Sequence, residues 1–246
     1  MAAPTLQQLA DSLTSQGLPT PSHAFLLPIL NSASQRNPPL QVLVATAKHR
    51  LLSADLTQPS ILSPTNSSFP ANITDVRVAS AALSADIPVQ VLDIEDLSRS
   101  KWEQIEALES ERKGETTKGR EVIRVVPTPA DGEAPSTAAT QFPSAASTPV
   151  AQSKGPFKLL MQDCKGNSVY GFELKKVEKI AYPPVMSIGC KVLLRKGCKI
   201  ARGMVLLEPG MVVVLGGKID GLDKGWREGR EQRLRETVER ERNTDE

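Results

Sequence analysis

Leu6, Leu9 and Leu13 recur at helical spacing and Gly17 ends the run, which predicts a short amphipathic helix. Ser22 can cap a second helix carrying Phe25, Leu26, Ile29 and Leu30, kept short or kinked by Pro28. The clearest stripe is the third: Leu40, Leu43, Val44, Ala47, Leu51 and Leu52, with Lys48 and Arg50 toward water. Three short helices with one apolar face each bury those faces only against one another, so residues 1–57 predict a small helical bundle. Residues 58–87 open on QPSILSPTNSSFP and read as a Pro/Ser linker.

Beyond the linker the period changes. VQVLDI (Val89–Ile94) predicts a strand, and a helical period follows, with Trp102, Ile105, Leu108 and Arg112 on one face. Glu103, Glu106 and Glu109 point mostly the other way. EVIRVV (Glu121–Val126) reads as a second short β run. Residues 127–155 hold five prolines and almost no large apolar side chain, a composition that cannot repay its chain entropy and predicts disorder. From Phe157 the pattern is all β: Phe157–Gln162, Ser168–Leu174 after the turn DCKGN, Cys190–Arg195, Cys198–Leu207 broken near Gly203, and Met211–Leu215. The expectation is an α+β chain. A three-helix bundle precedes a five-stranded OB-fold barrel over residues 88–219, interrupted after its first strand by an insertion at about 95–155. Residues 220–246 predict one charged helix with Glu231–Arg235 and Glu236–Arg240 pairs, Trp226 turning back onto the barrel.

The 246 residues carry a net charge of only +2, but it is unevenly spread. Between Lys154 and Lys218 there are twelve Lys or Arg against four acids. That excess suits phosphate as well as it suits an ordinary solubilising surface. Three cysteines, an odd and sparse set, suit a reducing compartment, cytosol or nucleus. The start, MAAPTLQQLADS, has neither the basic nor the apolar region of a secretory signal, and no apolar run is long enough to cross a membrane.

Candidate chemistry is sparse. Gly114–Gly119 has phosphate-loop glycine spacing, but Arg120 and Glu121 stand where Lys and Ser or Thr are needed, and Glu would repel phosphate. Cys190 and Cys198 are close, yet no histidine accompanies them, so structural thiols fit better than zinc ligands. Tyr170 and Tyr182 lack the acidic, metal-holding cluster that a DNA-cleaving tyrosine uses. Tyr170 and Phe172, two apart on one strand, share a face that reads as core before it reads as a base-stacking platform. No enzyme, cofactor or metal is expected.

Four segments occur in order: VQVLDIEDLSRSKWEQIEALE, GREVIRVV, LLMQDCKGNSVYGFELKKVEKI and GCKVLLRKGCKIARGMVLLEPGMVVVLGGKID. With VATAKHRLLSADL and FPANITD before them, this series resembles the RecQ-mediated genome instability protein 1 family in its short fungal form. The resemblance implies a nuclear, non-catalytic subunit of a RecQ helicase–topoisomerase III complex that dissolves double Holliday junctions and binds branched and single-stranded DNA. It implies that the barrel docks the topoisomerase and that the insertion, with Trp102, Ile105 and Leu108, reaches toward the topoisomerase gate. A further carboxy-terminal OB domain, found in larger forms, is not expected here. Lys175, Lys176, Lys179, Lys191, Arg195, Lys196, Lys199 and Arg202 are the candidate DNA contacts. Two rival classes stay open: a stand-alone single-strand binder, and a scaffold for unrelated partners built on the helical bundle.

Overall fold

A computed structural model of the chain describes residues 5–33, 38–113 and 155–243. Three helices come first: α1 (Leu6–Ser15), α2 (His23–Ala33) and α3 (Leu40–Ser53). Thr5 and Gln8 form a reciprocal capping box at the start of α1. Ser22 caps α2, its Oγ accepting the Phe25 N–H at 3.0 Å, and Pro28 sits inside that helix. Leu9, Leu13, Leu26, Ile29, Leu43, Ala47 and Leu51 fill one core, all from the predicted stripes.

The segment read as a linker is packed. Ile61 and Leu62 complete the helical core, while Phe69, Ile73 and Leu83 enter a second core. Here the prolines and serines make turns rather than a free tether. Asn66 shows how: its Oδ1 accepts the Thr20 N–H at 3.1 Å, and its Nδ2 donates to the Thr20 carbonyl at 2.8 Å.

One sheet follows. Its strands are β1 (Ala81–Ala82), β2 (Ile87–Asp96), β3 (Phe157–Asp163), β4 (Ser168–Glu173), β5 (Lys191–Leu194), β6 (Lys199–Ala201), β7 (Met204–Leu207) and β8 (Val212–Gly216), in the order β1-β6-β7-β4-β3-β2-β5-β8. All neighbours are antiparallel except β4 and β7, which run parallel. Eight segments replace the expected five strands because two strands are each divided in the middle and a two-residue strand, β1, adds to β6 at the edge. β5 and β6 are halves of one arm and β7 and β8 of another, so each arm reaches both ends of the sheet and curls it into a barrel. Phe157, Leu159 and Met161 alternate inward along β3 and are fully buried.

Three more helices flank the barrel: α4 (Lys101–Arg112), α5 (Asp220–Glu228) and α6 (Arg230–Arg242). The tail, expected as one helix, breaks at Gly229, a poor helix former. Trp226 ties α5 into the barrel core, whereas α6 lies along α4. The predicted β run EVIRVV and the predicted disorder of residues 127–155 lie outside the described residues, Gly155 apart.

Bundle and barrel meet over a polar joint. The Gln90 side chain accepts the Leu56 N–H at 3.0 Å and donates to Asp55 at 2.8 Å and to Gln162 at 3.1 Å. Gly217 passes so close to α3 that a Cβ there would stand 2.3 Å from the Leu52 carbonyl oxygen; its φ of +90° also excludes other side chains.

Candidate partner and nucleic-acid interface

The insertion leaves the barrel at Asp96 and is rooted by a buried polar cluster. Asp96 Oδ1 accepts from the Ser98 N–H and Oγ, shaping the turn into α4. Gln104, on the first turn of α4, donates to the Asp96 and Arg99 carbonyls at 3.1 and 3.2 Å. Its Oε1 accepts from Tyr182 Oη at 2.9 Å and from the Arg230 guanidinium at 3.2 Å. The Tyr182 hydroxyl in turn accepts the Asp96 N–H at 2.9 Å, and burial pushes its pKa up. Arg230 stacks 4.2 Å above the Tyr182 ring, and Trp226 donates to Asp93 at 2.5 Å. Sequence reasoning missed Gln104 and Arg230, because their partners lie 78 and 126 positions away. A signal was present in the Trp226–Arg230 spacing, which in an unbroken helix puts a cation and a ring on one face; the two still meet at 5.4 Å across the break at Gly229.

α4 also pairs with α6 through charge. Lys101 meets Glu241, Glu109 meets Arg235, and Arg112 lies 3.5 Å from Glu231. Ile105 is fully buried and Leu108 half-buried, but Trp102 is 58% exposed. The expectation of one face shared by all three fails for Trp102. At about 100° per residue the buried stripe runs through Lys101, Gln104, Ile105 and Leu108, with Trp102 at its margin and Arg112 exposed beyond its end.

The candidate DNA contacts divide. Lys191 is no surface cation: it is 1% exposed, and its ammonium donates to the Gly189 carbonyl at 2.6 Å. The pattern KVLL is buried on both faces, so strand alternation offered no wet side for this lysine. Burial pushes its pKa down to about 8, against smaller opposing effects of Cys190 and Asp55. Lys175 and Lys199 come together around Glu208, at 3.1 and 3.9 Å, and the carboxyl of Glu208 is held below its ordinary range by the Lys175 hydrogen bond. Lys176 reaches Glu173 at 3.7 Å and lies over the Phe157 ring. Arg195 pairs with Asp86 at 3.2 Å, and the backbone N–H of Lys196 donates to the same carboxylate. Lys179 borders a shallow cavity of about 310 Å³ with Pro184, Val185 and Val214. Arg202 is exposed in the β6–β7 turn.

Tyr170 and Phe172 are not core. Val169, Gly171 and Glu173 take the inner positions of β4, which puts the two aromatic rings outside. Among the described residues, no three His, Cys, Asp or Glu side chains cluster closely enough to hold a metal, and no helix is long and apolar enough to cross a membrane. Cys190 and Cys198 are buried with pKa values pushed up to about 11, which keeps them as thiols.

Two family models match. RMI1, N-terminal helical domain, covers residues 13–59, and RMI1, N-terminal OB-fold domain, covers residues 69–230. A search of curated proteins finds no match. The second match alone spans more than half of the residues and takes in the barrel, α4 and α5. The chain belongs to the RMI1 family.

Proposed function

We propose that this chain is a non-catalytic structural and stimulatory subunit of a nuclear RecQ helicase–topoisomerase III complex, promoting double Holliday junction dissolution. The observation that carries the reading is the RMI1 match over residues 69–230, on a barrel whose first long strand leads straight into an insertion. The barrel is the dock for the type IA topoisomerase. The insertion, rooted at Gln104 and braced against α6, presents Trp102 outward, where an aromatic anchor can meet a partner. A rigid root suits an element that must act on a moving partner, because a loose one would absorb the motion.

DNA contact, to branched and single-stranded forms, falls to Lys179, Lys196 and Arg202, and to Lys175 and Lys199, two cations that share the single carboxylate of Glu208, whereas Lys176 and Arg195 each have a carboxylate of their own. Phosphate contacts of this kind make affinity fall with salt, by a log–log slope of roughly −0.7 per contact on single strands. The test is capture of purified topoisomerase III by the full chain, together with decatenation in its presence and absence. Capture with stimulation supports the reading; a chain that neither binds nor stimulates the topoisomerase contradicts it.

A further inference from the structure

The outer face of the barrel carries an apolar band that neither core explains. β3, β4 and β7 lie side by side, and their registers align Leu160 with Tyr170 and Tyr170 with Met204, then Phe172 with Leu206. All five side chains sit on outward positions of their strands. Leu160, Phe172 and Leu206 are half-buried, yet they pack against neither hydrophobic core. Tyr170 is 47% exposed.

Charge surrounds the band at both ends. The parallel pairing of β4 with β7 brings the β3–β4 turn and the β6–β7 turn to the same end, so Lys165 and Arg202 flank it there. Both are exposed, and neither forms an ion pair among the described residues. At the other end stand Lys175 and Lys199, beyond Phe172 and opposite Leu206. On the β3 side, Lys158 lies 5.0 Å from the Tyr170 ring centre. Three flanking carboxylates are engaged: Glu95 by Lys158, Glu208 by Lys175 and Lys199, and Asp93 by the Trp226 indole and the Ile94 N–H.

We infer that this band is a stacking subsite for single-stranded nucleic acid, with bases on Tyr170 and Phe172 and phosphates reached by the cations at its ends. The two aromatic positions stand about 7 Å apart along one strand, which gives each ring its own base. Rings supply sequence-tolerant stacking, and cations at either end supply the backbone track, the pairing that single-strand binders use. A duplex hides its base faces and would gain nothing from Tyr170. The inference rests on the DNA-binding half of the proposed function and is independent of the topoisomerase half.

The test uses the full chain, a fluorescently labelled thymidine 12-mer and a blunt duplex of equal length, followed by anisotropy. Tyr170→Ala should weaken the single strand about tenfold, the scale of one stacked base, and leave the duplex unchanged. Tyr170→Phe should restore single-strand affinity, since the ring rather than the hydroxyl stacks. Lys165→Ala should flatten the salt dependence that Tyr170→Ala leaves intact. Equal thymidine affinity for wild type and Tyr170→Ala overturns the subsite while leaving DNA binding elsewhere standing. Loss of topoisomerase capture by Tyr170→Ala with thymidine binding retained overturns it in favour of a protein dock. A wild-type chain that binds neither probe overturns both the subsite and the DNA half of the function, and leaves the topoisomerase half untouched.

Discussion

Aromatic residues make up only 4% of this chain, and the barrel uses them in two opposite ways. Around α4 and α5, Phe157, Tyr182 and Trp226 touch in sequence, ring centres 5.6 and 6.2 Å apart, with the Tyr182 hydroxyl and the Trp226 indole both hydrogen-bonded. On the outer strands, Tyr170 is 47% exposed with the Lys158 ammonium 5.0 Å from its ring centre, and Phe172 is half-buried, and neither packs against a hydrophobic core. The first group is an anchor, its polar handles consumed in fixing the root of the insertion. The second is held by neither core and keeps part of its ring surface at the solvent. Chemistry of the side chain does not distinguish the groups; position does, since Phe157 takes an inward place on β3 and Tyr170 an outward one on β4, while Tyr182 and Trp226 reach the core from the segment before β5 and from α5.

The comparison breaks most visibly in stability. Phe157→Ala, which empties a fully buried site, should cost about 3–5 kcal/mol in denaturant unfolding. Tyr170→Ala should stay within about 0.5 kcal/mol of wild type. Similar losses for both would erase the distinction between anchor and open face.

A second blow to the anchor comes from Gln104→Leu. It strands the Tyr182 hydroxyl and Arg230 without their shared acceptor, at a cost of about 1–3 kcal/mol. Hydrogen exchange should speed up along α4 first. If α6 alone loosened, the root would lie in the charge pairs and not in Gln104.

Lys191 gives an effect of comparable size and opposite sign. Its ordinary pKa of 10.5 falls to about 8 on folding, so between those values the unfolded chain holds more protons and stability rises with pH. Below pH 8 the buried charge costs about 3 kcal/mol. Lys191→Met should raise the melting temperature at pH 7 and flatten the rise between pH 8 and 10.5. A destabilised variant that keeps the rise would contradict this burial account.

Trp102→Ala should change stability least, because the ring is largely exposed, yet it should lower stimulation of decatenation while leaving topoisomerase capture intact. Its emission in a Trp226→Phe background should shift to the blue only when topoisomerase is added.

Much of this arrangement was legible in the chain itself. Apolar spacing located α1 to α3, and short apolar runs bounded by turn residues located β2 through β8, since local pattern decides local structure. Three things were not legible. The Pro/Ser stretch hides Phe69, Ile73 and Leu83, whose burial depends on a barrel made mostly of later residues. Lys191 looked like its neighbours Arg195 and Lys196, because a buried lysine differs from an exposed one only in what surrounds it. The polar root at Gln104 joins residues from three distant segments, and no window of sequence contains them together.

The most direct test of the central claim is capture of purified topoisomerase III by the full chain, with wild type, Trp102→Ala and Phe157→Ala side by side. The account predicts capture by wild type and by Trp102→Ala, stimulated decatenation by wild type alone, and loss of both with the damaged barrel of Phe157→Ala. Undiminished capture by a Phe157→Ala chain whose barrel is unfolded by circular dichroism would place the dock outside the barrel and contradict it.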